Sequence, residues 1–146
     1  MIPGVVVREL AGVLDAAGYA VDLWGGEASS PPRGRATLRH LFPGKVEAWF
    51  RRTAAAERVI CLQGMIKLVL CDRREGSQAW DEVMELFLGE YRFREVAVPP
   101  GVLRGWKAMG GRPALVLLVV EGEGEGPEYV GQEEAAVPYD WEIVMR

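Results

Sequence analysis

The stretch Gly44–Gly64, GKVEAWFRRTAAAERVICLQG, decides the fold. It holds two short runs, Val46–Phe50 and Arg58–Leu62, whose β-branched and aromatic side chains suit a pleated, half-buried surface, so both read as strands. Turn signals close the stretch at each end, Pro43-Gly44 and Gln63-Gly64. Residues two apart on a strand share a face, which puts Phe50 and Arg52 on the same side. Outward from this stretch the pattern repeats. Val5–Arg8, Tyr19–Trp24 and Arg35–Phe42 precede it; Met65–Cys71, Val83–Leu88, Arg94–Val98, Leu103–Lys107 and Leu115–Val120 follow it. Gly89-Glu90, Pro100-Gly101 and Gly110-Gly111 punctuate the later runs. Many short, evenly punctuated strands predict an all-β sandwich or barrel. One competing local reading is a helix over Arg8–Ala17, where Leu10, Val13, Leu14 and Ala17 recur at helical spacing and Gly12 opposes it.

Size and charge bound the function. A chain of 146 residues, 49% of them apolar, makes one domain with a real core, residues 1–146. The net charge of −4 is mild and the arginines lie among glutamates, so no basic stripe exists to neutralise phosphates and nucleic acid is not expected as a partner. The longest apolar run, Ala114–Val120, is far below the ~18 residues of a membrane span, and Met1–Leu10 lacks the pattern of a secretory leader. A cytoplasmic protein with no membrane contact is expected. Cys61 and Cys71 flank Gln63-Gly64, and a hairpin there would not set them opposite each other, which predicts two buried thiols and no disulfide. Asparagine is absent and arginines outnumber lysines 14 to 3, a balance that fits growth at high temperature. After Glu121 the glycine-spaced glutamates read as a solvated acidic loop. The tail, 122–146, regains anchors at Tyr129, Tyr139 and Trp141 and is expected to pack on the barrel.

The spacing of glycines and prolines resembles that of the cupins, small jelly-roll barrels with two motifs whose histidines and glutamate bind metal. Gly44, Phe50, Arg52, Glu57 and Gly64 stand at the offsets of the first motif, with Phe50 and Arg52 where its two histidines would be. Pro99, Gly101 and Arg104 match the second, with Arg104 in place of the third histidine, Phe93 in place of its leading glycine and Ala108 in place of its closing asparagine. The resemblance therefore implies an all-β cupin jelly roll, a single domain. Of the four ligand positions only Glu57 keeps a donor, so no metal and no other cofactor is expected.

A longer resemblance is to proteins related to dTDP-4-dehydrorhamnose 3,5-epimerase. It rests on KVEAWFRR (Lys45–Arg52), CDRREGS (Cys71–Ser77), VPPGVLRGWKAMG (Val98–Gly110) and Pro138-Tyr139-Asp140-Trp141, with Leu88-Gly89-Glu90 and Pro127-Glu128-Tyr129 in support. In that family a histidine removes a proton beside the keto group, a lysine stabilises the enolate and a tyrosine reprotonates it. The histidine position falls on Phe50 and the lysine position on Glu57. Phenylalanine accepts no proton, and a carboxylate repels an enolate. A family Asp-x-x-Gly that carries an arginine for the nucleotide phosphates appears as Asp15-Ala16-Ala17-Gly18 without it. The family also implies a homodimer, in which the N-terminal strands within residues 1–34 exchange onto the partner's exposed sheet edge.

The candidate site is accordingly Phe50, Arg52, Glu57, Arg104, Trp106 and Tyr139. Arg52 and Arg104, with Arg39 able to join them, suit an anion such as a phosphate or a sugar carboxylate; alternatively each is neutralised by Glu57 or another acid. Trp106 and Tyr139 suit stacking on a sugar or base, or simple core packing. His40, without a second ligand at usable spacing, reads as a packed or surface residue. The expected function is metal-free binding of a nucleotide sugar or other anionic sugar, with the family's catalytic residues replaced. The alternative is a keto-sugar epimerase of deoxysugar or surface-polysaccharide synthesis that uses Tyr139, Tyr129 or Glu57 instead.

Overall fold

The computed structural model describes residues 1–25, 33–121 and 126–142. Twelve strands and one short helix are described: β1 (Val6–Glu9), β2 (Gly12–Leu14), β3 (Tyr19–Val21), β4 (Gly34–Leu41), β5 (Val46–Arg51), β6 (Glu57–Gln63), β7 (Met65–Asp72), β8 (Val83–Gly89), β9 (Arg94–Val98), β10 (Val102–Ala108), β11 (Ala114–Glu121), β12 (Glu128–Tyr129) and α1 (Gln132–Ala135). Two five-stranded antiparallel sheets, in the orders β1-β9-β6-β11-β4 and β12-β5-β10-β7-β8, form the jelly roll. β2 and β3 make a separate hairpin, so the helical reading of Arg8–Ala17 fails. Asp15 explains why: its Oδ1 accepts the backbone N–H groups of Ala17 and Gly18, closing the turn between β2 and β3.

The alternation of side chains builds two apolar layers. On β7, Ile66, Leu68 and Leu70 point between the sheets, where they meet Val59, Val96, Val116 and Trp106. Val69 and Cys71 point to the outer face of the second sheet, where Ala48, Trp49 and Leu103 are covered by Val130, Ala135 and Trp141 of the C-terminal segment. Each fully buried aliphatic side chain contributes about 1.5–3 kcal/mol of transfer free energy. Thus the sheet that carries Arg104 is packed on both faces. β1 pairs with β9 of its own chain.

Gln63-Gly64 is not a hairpin turn. It passes the chain from β6 in one sheet to β7 in the other, with Gly64 at φ +75° and a Cβ there only 2.4 Å from the Pro113 carbonyl oxygen. Only glycine fits that approach. Cys61 faces the layer between the sheets and Cys71 the outer layer, so the two thiols stay free and buried. Burial pushes the Cys61 thiol up to about 11, which keeps it protonated and inert.

After β7 the chain turns around Asp72, a fully buried carboxylate that accepts from the Arg74 backbone N–H (3.1 Å), Arg74 Nε (3.0 Å), Arg74 Nη2 (2.9 Å) and Ser77 Oγ (2.5 Å). Burial pushes its pKa up, but the Arg74 and Ser77 hydrogen bonds outweigh this and bring it down to about 2. The folded value lies below the unfolded one, so the stabilisation is fully present above about pH 4 and is lost as pH falls towards 2; its size is about 2 kcal/mol. In an acid titration of unfolding free energy, the Asp72→Asn variant should show a flatter decline than the parent between these limits. Parallel curves would exclude Asp72 as a source of the acid sensitivity.

Candidate functional site

β10 lies at the centre of the second sheet, and its alternation aims Arg104 and Trp106 between the sheets while Leu103 and Gly105 face the tail. On the neighbouring β5, Ala48 and Trp49 both face outward, and the register to β10 shifts between Arg104 and Gly105. This bulge returns Glu47 and Phe50 to the inner side together, with Phe50 directly opposite Arg104. Arg52 follows on the same side, and Glu57 opens β6 from the opposite sheet.

Glu57 is the hub. Its Oε1 accepts from Arg104 Nε at 2.6 Å and its Oε2 from Arg104 Nη2 at 3.2 Å and Arg52 Nε at 3.0 Å. Burial pushes the Glu57 carboxyl up, yet the hydrogen bonds and charges of Arg104 and Arg52 prevail and hold it below the usual carboxylate range. The Arg104 guanidinium lies 4.3 Å from the Trp106 ring centroid and 5.0 Å from that of Phe50. Trp106 is therefore a platform for Arg104, and its indole N–H is taken by Glu47 Oε1 at 3.0 Å. Arg39 on β4 grips the same Glu47 with bonds of 3.1 and 2.8 Å. Arg104 is 3% exposed, and its Nη1 has no hydrogen-bond partner among the described residues. A buried guanidinium nitrogen left unpaired is costly, so it marks the place where an oxygen acceptor would be held most strongly.

Five of the six expected site residues thus converge: Phe50, Arg52, Glu57, Arg104 and Trp106. Tyr139 does not. The tail carries it to the outer face of the second sheet, where its hydroxyl donates to Glu85 and its ring meets Trp141 edge-on at 5.0 Å. Burial and the Glu85 carboxylate both raise its pKa, which leaves it a poor proton donor. Tyr129 instead stands at the inner site's rim: β12 pairs it with Phe50, the rings are 5.2 Å apart, and Tyr129 is 62% exposed. His40 lies exposed on β4, edge-on to Phe42 at 5.5 Å. Sequence reasoning missed Glu47, because strict alternation from Phe50 places it on the wrong face; only the bulge brings it in.

These residues do not fit a metal ion. Phe50 offers no donor, Arg52 and Arg104 repel a cation, and both oxygens of Glu57 are held by guanidiniums. Their chemistry is hydrogen-bond donation to an oxygen in a partly dry site.

No family model matches the chain. Two curated relatives do. A probable low-salt glycan biosynthesis epimerase, Agl13, of Haloferax volcanii is 26% identical over 144 residues, covering 95% of this chain and 89% of the relative. The spore coat polysaccharide biosynthesis protein SpsL of Bacillus subtilis is 25% identical over 145 residues, covering 99% and 94%. Among solved structures, a dTDP sugar isomerase from Desulfovibrio desulfuricans G20 superposes with a TM-score of 0.86 at 24% identity, covering 96% of this chain and 92% of that one. ChmJ, a 3'-monoepimerase from Streptomyces bikiniensis in complex with dTDP-quinovose, superposes with a TM-score of 0.84 at 16% identity, covering 97% and 76%. Among the described residues, no helix is long and apolar enough to cross a membrane. In its cupin jelly roll the chain is similar to solved dTDP-sugar epimerases, and in sequence it is similar to proteins of glycan and polysaccharide biosynthesis.

Proposed function

We propose that this protein holds a nucleotide-activated sugar at the Arg52–Glu57–Arg104 cluster and serves deoxysugar or surface-polysaccharide biosynthesis. The observation that carries this reading is the unpartnered Nη1 of buried Arg104, fixed between Phe50 and Trp106. It supplies a directed donor to a sugar oxygen. The relatives, epimerases and a polysaccharide-synthesis protein, support the same class of ligand. A thermal-shift series with dTDP-sugars tests it, since a ligand bound only by the folded state at 100 times its Kd stabilises by about 2.7 kcal/mol. No shift with any of them at millimolar concentration would end the proposal.

Keto-sugar epimerisation is the turnover that the relatives favour, and the cluster narrows how it would run. Arg104 Nη1 would steady the enolate oxygen, in the place of a lysine. Glu57, held as a carboxylate by two arginines, could accept the proton from carbon but not return one, and Tyr139 is on the far face, so return of a proton to the enolate falls to Tyr129. Against turnover, and for binding alone, stands Phe50, which puts an aromatic ring where the resemblance requires a base. Incubation of dTDP-4-dehydro-6-deoxyglucose in deuterated water separates the two. Binding alone predicts no solvent deuterium at the third and fifth carbons of the sugar. Deuterium there at enzymatic speed, abolished by Tyr129→Phe, establishes the epimerase.

The assembly we propose is a cytoplasmic homodimer, supported by the exposed apolar hairpin residues Val13 (70%), Leu14 (80%) and Tyr19 (57%) and by the open edge strand β4 with Leu38 at 61%. Sedimentation equilibrium at the mass of one chain would exclude it.

A further inference from the structure

Behind Arg104, on the opposite face of the sheet, β10 carries Gly105, and the ring of Trp141 occupies the space that a side chain there would need. A Cβ on Gly105 would stand 2.8 Å from Trp141 Cζ2 and 2.8 Å from the Ala48 Cβ. Trp141 is 7% exposed and fixed from several sides. Its ring lies 5.5 Å from Trp49 and 5.0 Å from Tyr139, and its carbonyl oxygen accepts from Lys67 Nζ at 3.2 Å and Lys107 Nζ at 3.4 Å. Lys67 is itself buried beneath the two tail aromatics, its ammonium 5.2 Å from the Tyr139 ring centroid and 5.6 Å from that of Trp141. Two lysines on adjacent strands converging on one carbonyl hold the end of the described tail against the strands that bear the site.

The partners of Trp141 are the backs of the site's own residues. Trp49 and Ala48 form the bulge that aligns Phe50 with Arg104. Trp49 also exchanges backbone hydrogen bonds with Val130, at 2.9 and 2.8 Å, and the residue before Val130 is Tyr129. We propose that Trp141 is a positioning residue: packed under Gly105 and Trp49, it sets the depth of β10 and β5 and so the placement of Arg104, Phe50 and Tyr129 on the inner face. The mechanism is steric, since a close-packed layer passes a displacement on one face to the backbone and from there to the other face. Where its ligand readout is concerned, the inference rests on the function proposed above.

The test uses full-length Trp141→Ala, Trp141→Phe and, as a control on the same outer face but away from β10, Val83→Ala. Each is studied at a temperature where circular dichroism shows it folded, so that lost stability alone moves neither readout. The first readout is the Arg104 Nε–H resonance, assigned by its loss in Arg104→Lys and distinguished by the 2.6 Å bond to Glu57. The second is affinity for dTDP-glucose. Trp141→Ala should shift the resonance and weaken binding about tenfold; Trp141→Phe and Val83→Ala should stay near the parent in both. If Trp141→Ala does not fold, Gly105→Ala, which forces a Cβ against the same ring, is read in its place. An unmoved Arg104 resonance in the folded variant overturns the inference. If the parent binds no dTDP-sugar, the proposed function falls, and the resonance alone still decides the positioning role.

Discussion

Replacing Glu57 by alanine should destabilise the fold by about 3–5 kcal/mol, the cost of leaving a buried charge without its partner. Arg104 is 3% exposed and donates two hydrogen bonds to Glu57; without the carboxylate its guanidinium loses both and is left buried beside the Phe50 and Trp106 rings. Against the roughly 5–15 kcal/mol that holds an ordinary domain together, this is a severe loss, equivalent to about 10 °C in Tm for a chain of this size. Glu57→Gln keeps one acceptor oxygen and should lose less. Glu57→Met combined with Arg104→Met, which removes both charges and fills the space with apolar atoms, should recover much of the loss. Denaturant unfolding of the three variants makes the comparison. The pH dependence has the same origin. The folded Glu57 pKa is lowered, so its contribution is present above the unfolded value and fades as the pH falls below it. A loss below about 1 kcal/mol for Glu57→Ala would mean that water already solvates the pair.

Much of the fold was legible because strand periodicity is a local property. All ten strand runs read from the sequence correspond to strands, and the two strands missed, β2 and β12, have three and two residues, too few for a period to show. The convergence of Phe50, Arg52, Glu57 and Arg104 was legible from motif spacing, since a turn glycine and a strand of fixed length deliver the same position whatever side chain occupies it. The rest depended on events that alternation cannot record. The bulge at Ala48–Trp49 moved Glu47 to the inner face. The route of the tail, which turns under the second sheet at Val130, put Tyr139 behind the site and left Tyr129 in front of it. Gln63-Gly64 looks like a hairpin in sequence because a sheet-to-sheet crossing uses the same left-handed glycine. Trp106 was expected to stack on a ligand or belong to the core; it belongs to the core, and from there its ring also carries a cation.

Arg104→Ala should weaken binding of a dTDP-sugar by about 1.5–3 kcal/mol, the range for a hydrogen bond to a charged group, or roughly 10- to 150-fold in Kd. The expectation follows from how Arg104 spends its donors. Nε and Nη2 are committed to Glu57, whereas Nη1 is buried and unpartnered, so a bound oxygen there gains a charge-assisted bond and relieves an existing penalty. The fold should tolerate the change better than the loss of Glu57, because Arg52 still pairs the carboxylate at 3.0 Å. Arg104→Lys is the sharper variant. An ammonium keeps the charge but has neither the fork that meets both Glu57 oxygens nor the flat face that lies 4.3 Å from Trp106. It should therefore lose nearly as much affinity as alanine, and Trp106→Leu, which removes the platform and leaves the charge, should lose a smaller share of the same energy. Calorimetric titration of the three variants, each with the near-ultraviolet dichroism of a packed core, measures this order. If Arg104→Ala binds as tightly as the parent, the two arginines serve only to neutralise Glu57, and the ligand contacts some other part of the barrel.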